Sequence, residues 1–141
     1  MKNLLGKIEY LEFEGEEKPR VEFEKINEAK GLKKEKDHFV YKGYEVTVVE
    51  DEGEPTPAWS DIDARTGKWI IKILDSVPNY FYLPLLEHEI YELGQKDMAE
   101  AHKKAVEVGR EKAKEMGILD EFLTFEARWQ KRKEKKEAEN K

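Results

Sequence analysis

The chain has 141 residues, which is enough for one domain with a hydrophobic core and too few for two of ordinary size. Charged residues make up 41% of the sequence, but three Trp, six Tyr and six Phe remain to build a core, so the composition is that of a folded protein. The absence of cysteine excludes disulfide frameworks, thiol catalysis and cysteine-ligated zinc, and the net charge of −6 disfavours general binding to nucleic-acid phosphates.

Two further features of the sequence bear on where the protein works. No run approaches the roughly 18 apolar residues of a membrane span, and the first residues lack the apolar stretch of a signal peptide, so we expect a cytoplasmic protein without a membrane segment. The 25 Glu and 21 Lys, against four Asn and two Gln, match the Lys- and Glu-rich balance of hyperthermophile proteins. This balance predicts a hot habitat.

Residues 1–36 carry the weakest structural pattern. Apolar and charged residues alternate over 7–13, which predicts a strand, and a break containing glycine and proline follows it. The stretch 19–29 fits a short helix, opened by its proline and ended by Gly31, and it fits a strand equally well. The pattern leaves both structures open.

Two hairpins are predicted in the middle of the chain. Apolar residues recur with a period of two on both sides of Lys42 and Gly43, which predicts a hairpin with a tight turn at the glycine. Strand-forming residues over 59–64 and 68–74 flank the sequence Arg-Thr-Gly, which predicts a second hairpin. Between them, the acidic and proline-bearing stretch 50–57 is predicted to be a surface loop.

After the second hairpin the apolar period is that of helices. The first helix carries one apolar stripe and ends at Gly94. The second begins at a capping sequence opened by Asp97 and ends at Gly117, and a third begins at Asp120. Strands come first and helices last, which is the order of an α+β domain.

The predicted fold class is therefore α+β: a small antiparallel sheet of two hairpins, followed by two or three helices packed on one face. The apolar periodicity ends at Trp129, beyond which the chain is almost entirely charged. We therefore place a single domain in residues 1–129 and a charged tail, either a solvated helix end or disordered, in residues 130–141.

Two of the three histidines fall in the predicted helices and indicate a metal site. His88 and Glu92 are four residues apart, so on a helix they project from one face. His102 lies on a small and apolar stripe of the next helix that is predicted to face the protein, and the short connection places it within reach of them. Glu89 follows His88 directly, as in zinc hydrolases with an H-E-x-x-H motif, where this glutamate activates the bound water. We therefore predict His88, Glu92 and His102 as ligands of zinc and Glu89 as the catalytic residue.

An alternative interpretation needs no metal. Because the chain contains 25 glutamates, a histidine followed by Glu at the first and fourth positions arises readily by chance. In this interpretation Glu87, Glu89 and Glu92 lie on a solvated helix face, and His102 bonds to a carbonyl or a carboxylate in the core.

Over residues 59–116 the chain resembles the minimal zincin-type metallopeptidase core found in small archaeal, bacterial and phage proteins. The resemblance lies in a hairpin whose last strand leads into a helix carrying His-Glu, followed by a second helix with a further ligand. It implies that both helical histidines bind the metal, that Glu92 stands where the usual second histidine stands, and that Glu89 is the general base. The glutamate at this position departs from the usual pattern and implies a changed metal preference.

The predicted function is that of a small metal-dependent hydrolase acting on peptide bonds, with the substrate added as a strand along 68–73, as the resemblance implies. The alternative is a non-catalytic protein-interaction module of the same fold. Residues 128–141 carry seven Lys or Arg against three Glu, which makes this segment the one place where the sequence allows a nucleic-acid contact. We prefer to interpret it as a solubilising tail, and nucleic acid is not expected as a partner. Asp61 and Asp63 are assigned to a solvated sheet face rather than a cation site, and His38 to the surface.

Overall fold

A computed structural model describes residues 17–139 of the chain. The strands are β1 (Lys33–Lys34), β2 (Phe39–Tyr41), β3 (Tyr44–Val49), β4 (Ala58–Ile62) and β5 (Trp69–Leu74). The helices are α1 (Glu17–Ala29), α2 (Tyr82–Leu93), α3 (Met98–Glu115) and α4 (Leu119–Glu139), with a one-turn 3₁₀ helix, Asn79–Phe81, before α2. Of the two structures left open for 19–29, the helix is confirmed as α1, whereas the strand predicted at 7–13 lies outside the described residues.

The five strands form one sheet in the order β1-β2-β3-β5-β4. The β2–β3 and β4–β5 pairs are antiparallel, which confirms both predicted hairpins and the α+β fold class. The hairpins are joined by parallel pairing of β3 with β5, in which Val46 lies opposite Ile71. This parallel pair was not predicted, because no local turn sequence marks the pairing of strands that are far apart in the chain.

The strand that the resemblance assigned to peptide binding, 68–73, is not an edge, so this assignment is wrong. β5 is paired with β3 on one side and with β4 on the other, so its backbone hydrogen-bonding groups are already used and cannot pair with a peptide. Its run of apolar residues, with Ile71, Ile73 and Leu74 fully buried, is typical of a central strand. Among the strands that the structure describes, the edge next to it is β4.

The turn of the first hairpin has the backbone that its sequence predicts. Lys42 and Gly43 have φ angles of 50° and 85°, so both central residues are left-handed, as in a type I′ turn. This turn matches the right-handed twist of the two strands, and it fixes the register in which Tyr41 lies opposite Tyr44.

The helix ends follow the predicted signals. α2 ends before Gly94, and the Asp97 side chain caps α3 by accepting a hydrogen bond from the Glu100 amide at 3.2 Å. Gly117, with a φ of 78°, separates α3 from α4, which begins one residue before the predicted Asp120. None of the helices in the described range is both long and apolar enough to cross a membrane.

The core lies between the sheet and the helices. Aromatic rings connect the elements: Phe23 of α1 packs on Tyr80 at a centroid distance of 5.6 Å, and Phe81 packs on Phe125 of α4 at 4.4 Å. Tyr80 and Phe81 are both buried in this group of rings. α2 lies against β4 and β5, and α3 packs on the other side of α2.

α4 continues as a helix beyond Trp129 to Glu139. Most side chains of this part are exposed, but Arg132 donates hydrogen bonds to the Asp51 carboxylate and to the Glu54 carbonyl oxygen, in the predicted loop 50–57. The helix end is therefore attached to the sheet side of the molecule, and the division of the chain at residue 129 stays a prediction.

Candidate metal centre

The three predicted ligands come together where α2 and α3 run side by side. Glu92 lies between the two imidazoles: its Oε1 is 3.3 Å from Nε2 of His88, and its Oε2 is 3.0 Å from Nδ1 of His102. The two rings are 5.2 Å apart between centroids and nearly perpendicular. One ligand atom from each residue can be chosen so that all three lie within 4.8 Å of one another.

The separations can be compared with those around a zinc ion. Zinc binds imidazole nitrogen and carboxylate oxygen at about 2.0–2.2 Å, so two ligands of a tetrahedral ion are about 3.3 Å apart. The His88–Glu92 contact of 3.3 Å and the Glu92–His102 contact of 3.0 Å are close to this spacing, and they involve different oxygens of Glu92. Three protein ligands of this kind leave a fourth position for water or substrate, which is the pattern of catalytic rather than structural zinc sites.

The site is closed on the α2 side and open on the α3 side. The side chains of His88 and Glu92 are 17% and 16% exposed, whereas His102 is 63% exposed. The prediction that His102 faces the protein interior is therefore wrong, because it lies at the open margin of the contact between the two helices. Burial lowers the pKa of His88, with a smaller contribution in the same direction from His102, although the Glu92 carboxylate opposes it. A lowered pKa favours the neutral imidazole, which is the form that binds metal.

Glu89 is the deepest of the four residues. Its side chain is 12% exposed, and its Oε2 lies 3.9 Å from Nε2 of His88. Burial, and secondarily the Glu92 carboxylate, raise the pKa of Glu89 to about 8. A divalent cation held by His88 and Glu92 would lower this pKa, because a nearby positive charge stabilises the carboxylate. A buried carboxyl group with a displaced pKa is typical of acid–base sites.

The solvated helix face of the metal-free interpretation is not observed. The side chains of Glu87, Glu89 and Glu92 are at most 16% exposed, while His102 is the exposed member of the group. The reason is that α2 contacts both the sheet and α3. A histidine bonded to a carboxylate was part of that interpretation, and His102 does contact Glu92.

Sequence reasoning missed the role of Glu87, which attaches α2 to the first hairpin. Its carboxylate accepts a short hydrogen bond from the Tyr41 hydroxyl and is 2.9 Å from Nζ of Lys42. This contact holds α2 against the first hairpin at the residue immediately before His88. Glu87 follows the buried Leu83 by four residues, so helical spacing was the signal that it faces inward.

The remaining polar residues singled out in the sequence lie apart from this site. Asp61 pairs with Lys72 across β4 and β5 at 3.2 Å, and Asp63 accepts the Arg65 amide in the following turn. His38 contacts Asp37 at 2.9 Å near the surface. The structure therefore gives Asp61 and Asp63 separate partners rather than a shared cation site.

Comparison of the chain with models of protein families, with curated proteins and with solved structures finds no match in any of the three. The likeness to zincin-type cores therefore stays a prediction. Function is inferred from the site's own residues.

Proposed function

We propose that this protein is a small metal-dependent hydrolase of the zincin type that acts on peptide bonds. The observation that carries the proposal is the convergence of His88, Glu92 and His102, with ligand atoms within 4.8 Å of one another, beside the buried carboxyl group of Glu89. Two imidazoles and one carboxylate with an adjacent acid–base group form the minimum set for metal-assisted hydrolysis.

The proposed ligands of zinc are Nε2 of His88, a carboxylate oxygen of Glu92 and Nδ1 of His102. When bound, zinc would polarise a substrate carbonyl and lower the pKa of water toward 7. To bind the ion, one oxygen of Glu92 would have to leave its contact with an imidazole and contact the ion instead. The carboxylate has two oxygens, so this exchange does not require both contacts to break. Each imidazole contacts one oxygen of the Glu92 carboxylate, so both rings lie against the same side chain, which supports the proposed ligand set.

Glu89 is proposed as the general base. It would take a proton from the attacking water and then deliver that proton to the leaving amine, so one group serves both steps. Its burial supports this role, because a carboxylate shielded from water is a stronger base than an exposed one.

The peptide substrate is proposed to bind along β4. Within residues 17–139 this strand forms an edge of the sheet, lies beside α2, and carries the exposed Ile62 opposite the exposed Trp69. An extended peptide can add to such an edge by backbone hydrogen bonds, with the apolar pair contacting one of its side chains. The cytoplasm is the proposed compartment, and the Lys- and Glu-rich composition supports a hot habitat.

A non-catalytic interaction module is the second candidate. It is favoured by the position of Glu92, which links both imidazoles directly and so joins α2 to α3 without any ion. In that case the exposed pair of Ile62 and Trp69 would contact a protein partner rather than a substrate.

The variant Glu89→Gln tests the enzyme directly. At equal zinc content, we expect it to retain the metal and to lose about 10²- to 10⁴-fold in the rate of peptide cleavage, because the amide cannot accept the proton. Glu111→Gln makes the same chemical change on the exposed surface of α3 and should cleave like the parent. Equal rates for Glu89→Gln and the parent, or a zinc-loaded parent without activity on a peptide library, would favour the interaction module.

A further inference from the structure

α2 and α3 meet along a row of small residues. Ala101, Ala105, Gly109 and Ala113 are all buried, and their spacing of four places them on one face of α3. Gly109 marks a very close approach, because a Cβ atom added there would lie 3.0 Å from the Pro84 carbonyl oxygen and 3.6 Å from Cβ of His88. The contact on α2 is therefore the turn that carries the first ligand.

The backbone at Gly109 does not itself require glycine. The residue lies inside α3, and it is not among the glycines with positive φ. Alanine is favoured over glycine in the interior of a helix, so helix formation alone would gain from a methyl group here. What glycine supplies at this position is space between the two helices.

This space determines where the ligands lie. In an α-helix the Pro84 carbonyl accepts the amide hydrogen of residue 88, so a group pressing on this oxygen displaces His88 itself. His102 precedes Gly109 by seven residues, which is two turns and about 10 Å along the same face of α3. Moving α3 away from α2 at Gly109 therefore carries His102 away from Glu92, with which it now has a 3.0 Å contact.

We propose that Gly109 is a positioning residue of the candidate metal centre, which allows α3 to approach α2 closely enough for His102 to share an ion with His88 and Glu92. The inference rests on the proposed metal site. It adds a requirement beyond the three ligands, namely the close approach of α3 to α2 at Gly109. It means that the affinity for zinc depends on a residue that has no side chain and touches no ion.

The test is a zinc titration of the full chain against a chromophoric chelator, for the parent, Gly109→Ala and Gly94→Ala. Gly94 lies in the connection between Glu92 and His102, but a Cβ added there meets nothing within 4 Å, and its φ of −95° suits alanine. We expect Gly109→Ala to bind zinc about 10-fold more weakly, as when a group supporting a ligand is changed, and Gly94→Ala to match the parent. Visible absorption of bound Co²⁺ should change in Gly109→Ala alone, because this absorption reports ligand geometry.

Zinc affinity and a Co²⁺ spectrum of Gly109→Ala equal to those of the parent would overturn the inference while leaving the metal site intact. A parent that binds no zinc would overturn the metal site as well. If Gly109→Ala does not melt cooperatively, Ala105→Ser decides: it adds one atom on the same buried face, one turn nearer to His102. Weaker zinc binding by that variant supports the positioning role, and unchanged binding overturns it.

Discussion

Arg132 joins the end of α4 to the loop between β3 and β4. Replacing this side chain with alanine should lower the free energy of unfolding, by an amount that can be worked out from its contacts. Its guanidinium donates to Asp51 at 2.5 Å and to the Glu54 carbonyl at 3.0 Å, and it stacks 4.3 Å from the centre of the Trp129 ring. A hydrogen bond to a charged group contributes about 1.5–3 kcal/mol, and a cation–π contact at an exposed site about 0.5–1 kcal/mol. Because Arg132 is one-third exposed, we take the low end and expect Arg132→Ala to cost about 2 kcal/mol.

This cost should appear as a change in the melting temperature. The entropy of unfolding is about 2.1 cal/mol/K per residue, or about 0.3 kcal/mol/K for this chain, so 2 kcal/mol corresponds to about 7 °C. Lys133→Ala removes an exposed cation from the next position of α4 and should leave the melting temperature unchanged. Equal melting temperatures for Arg132→Ala and Lys133→Ala would refute the reasoning.

The same contact should depend on pH in a defined direction. The hydrogen bond from Arg132, aided by Ser76 and the Gly53 amide, holds the pKa of Asp51 well below its usual range despite its burial. A depressed folded-state pKa adds stability above the unfolded pKa of about 4, and this stability is lost as the pH falls through the folded-state value. The difference between the parent and Arg132→Ala should therefore be constant from pH 7 to 5 and shrink below about pH 4.

Three further changes test the packing. Phe125→Ala should lower the free energy of unfolding in urea by about 3–5 kcal/mol, since the buried ring of this α4 residue packs on Phe81. A loss below about 1 kcal/mol would contradict the core described above. Tyr41→Phe should cost about 1–2 kcal/mol because Glu87 loses its hydroxyl partner, and an unchanged urea midpoint would show that this bond is not stabilising. Truncation after Arg128 should keep one cooperative thermal transition at a lower temperature. Loss of that transition would mean that the part of α4 from Trp129 onward is needed for folding.

The local parts of the fold were predictable because their signals are local. Gly94 and Asp97 mark the connection of α2 and α3 by backbone conformation and capping, and Gly43 marks a turn that requires positive φ. The pairing of β3 with β5 depends on contacts between distant strands, which no turn sequence specifies. For that reason the edge of the sheet was placed at the wrong strand.

The ligand set was predictable from spacing, but its environment was not. Helical periodicity placed His88 and Glu92 on one face, and a short connection brought His102 beside them. The Glu89 side chain is 12% exposed, and a Cβ atom at Gly109 would lie 3.0 Å from the Pro84 carbonyl oxygen, and both facts depend on tertiary packing rather than on local sequence. A small residue on an apolar stripe gives no sign in the sequence of how closely two helices approach.

The zinc content of the purified full chain tests the metal centre most directly. After loading with zinc and removal of free ion, elemental analysis should find about one zinc per chain in the parent and in His38→Ala, whose histidine lies at the surface away from the site. His88→Ala and His102→Ala should each lose most of it, because one of three protein ligands is gone. A parent without zinc, or the same zinc content in all four proteins, would contradict the metal centre.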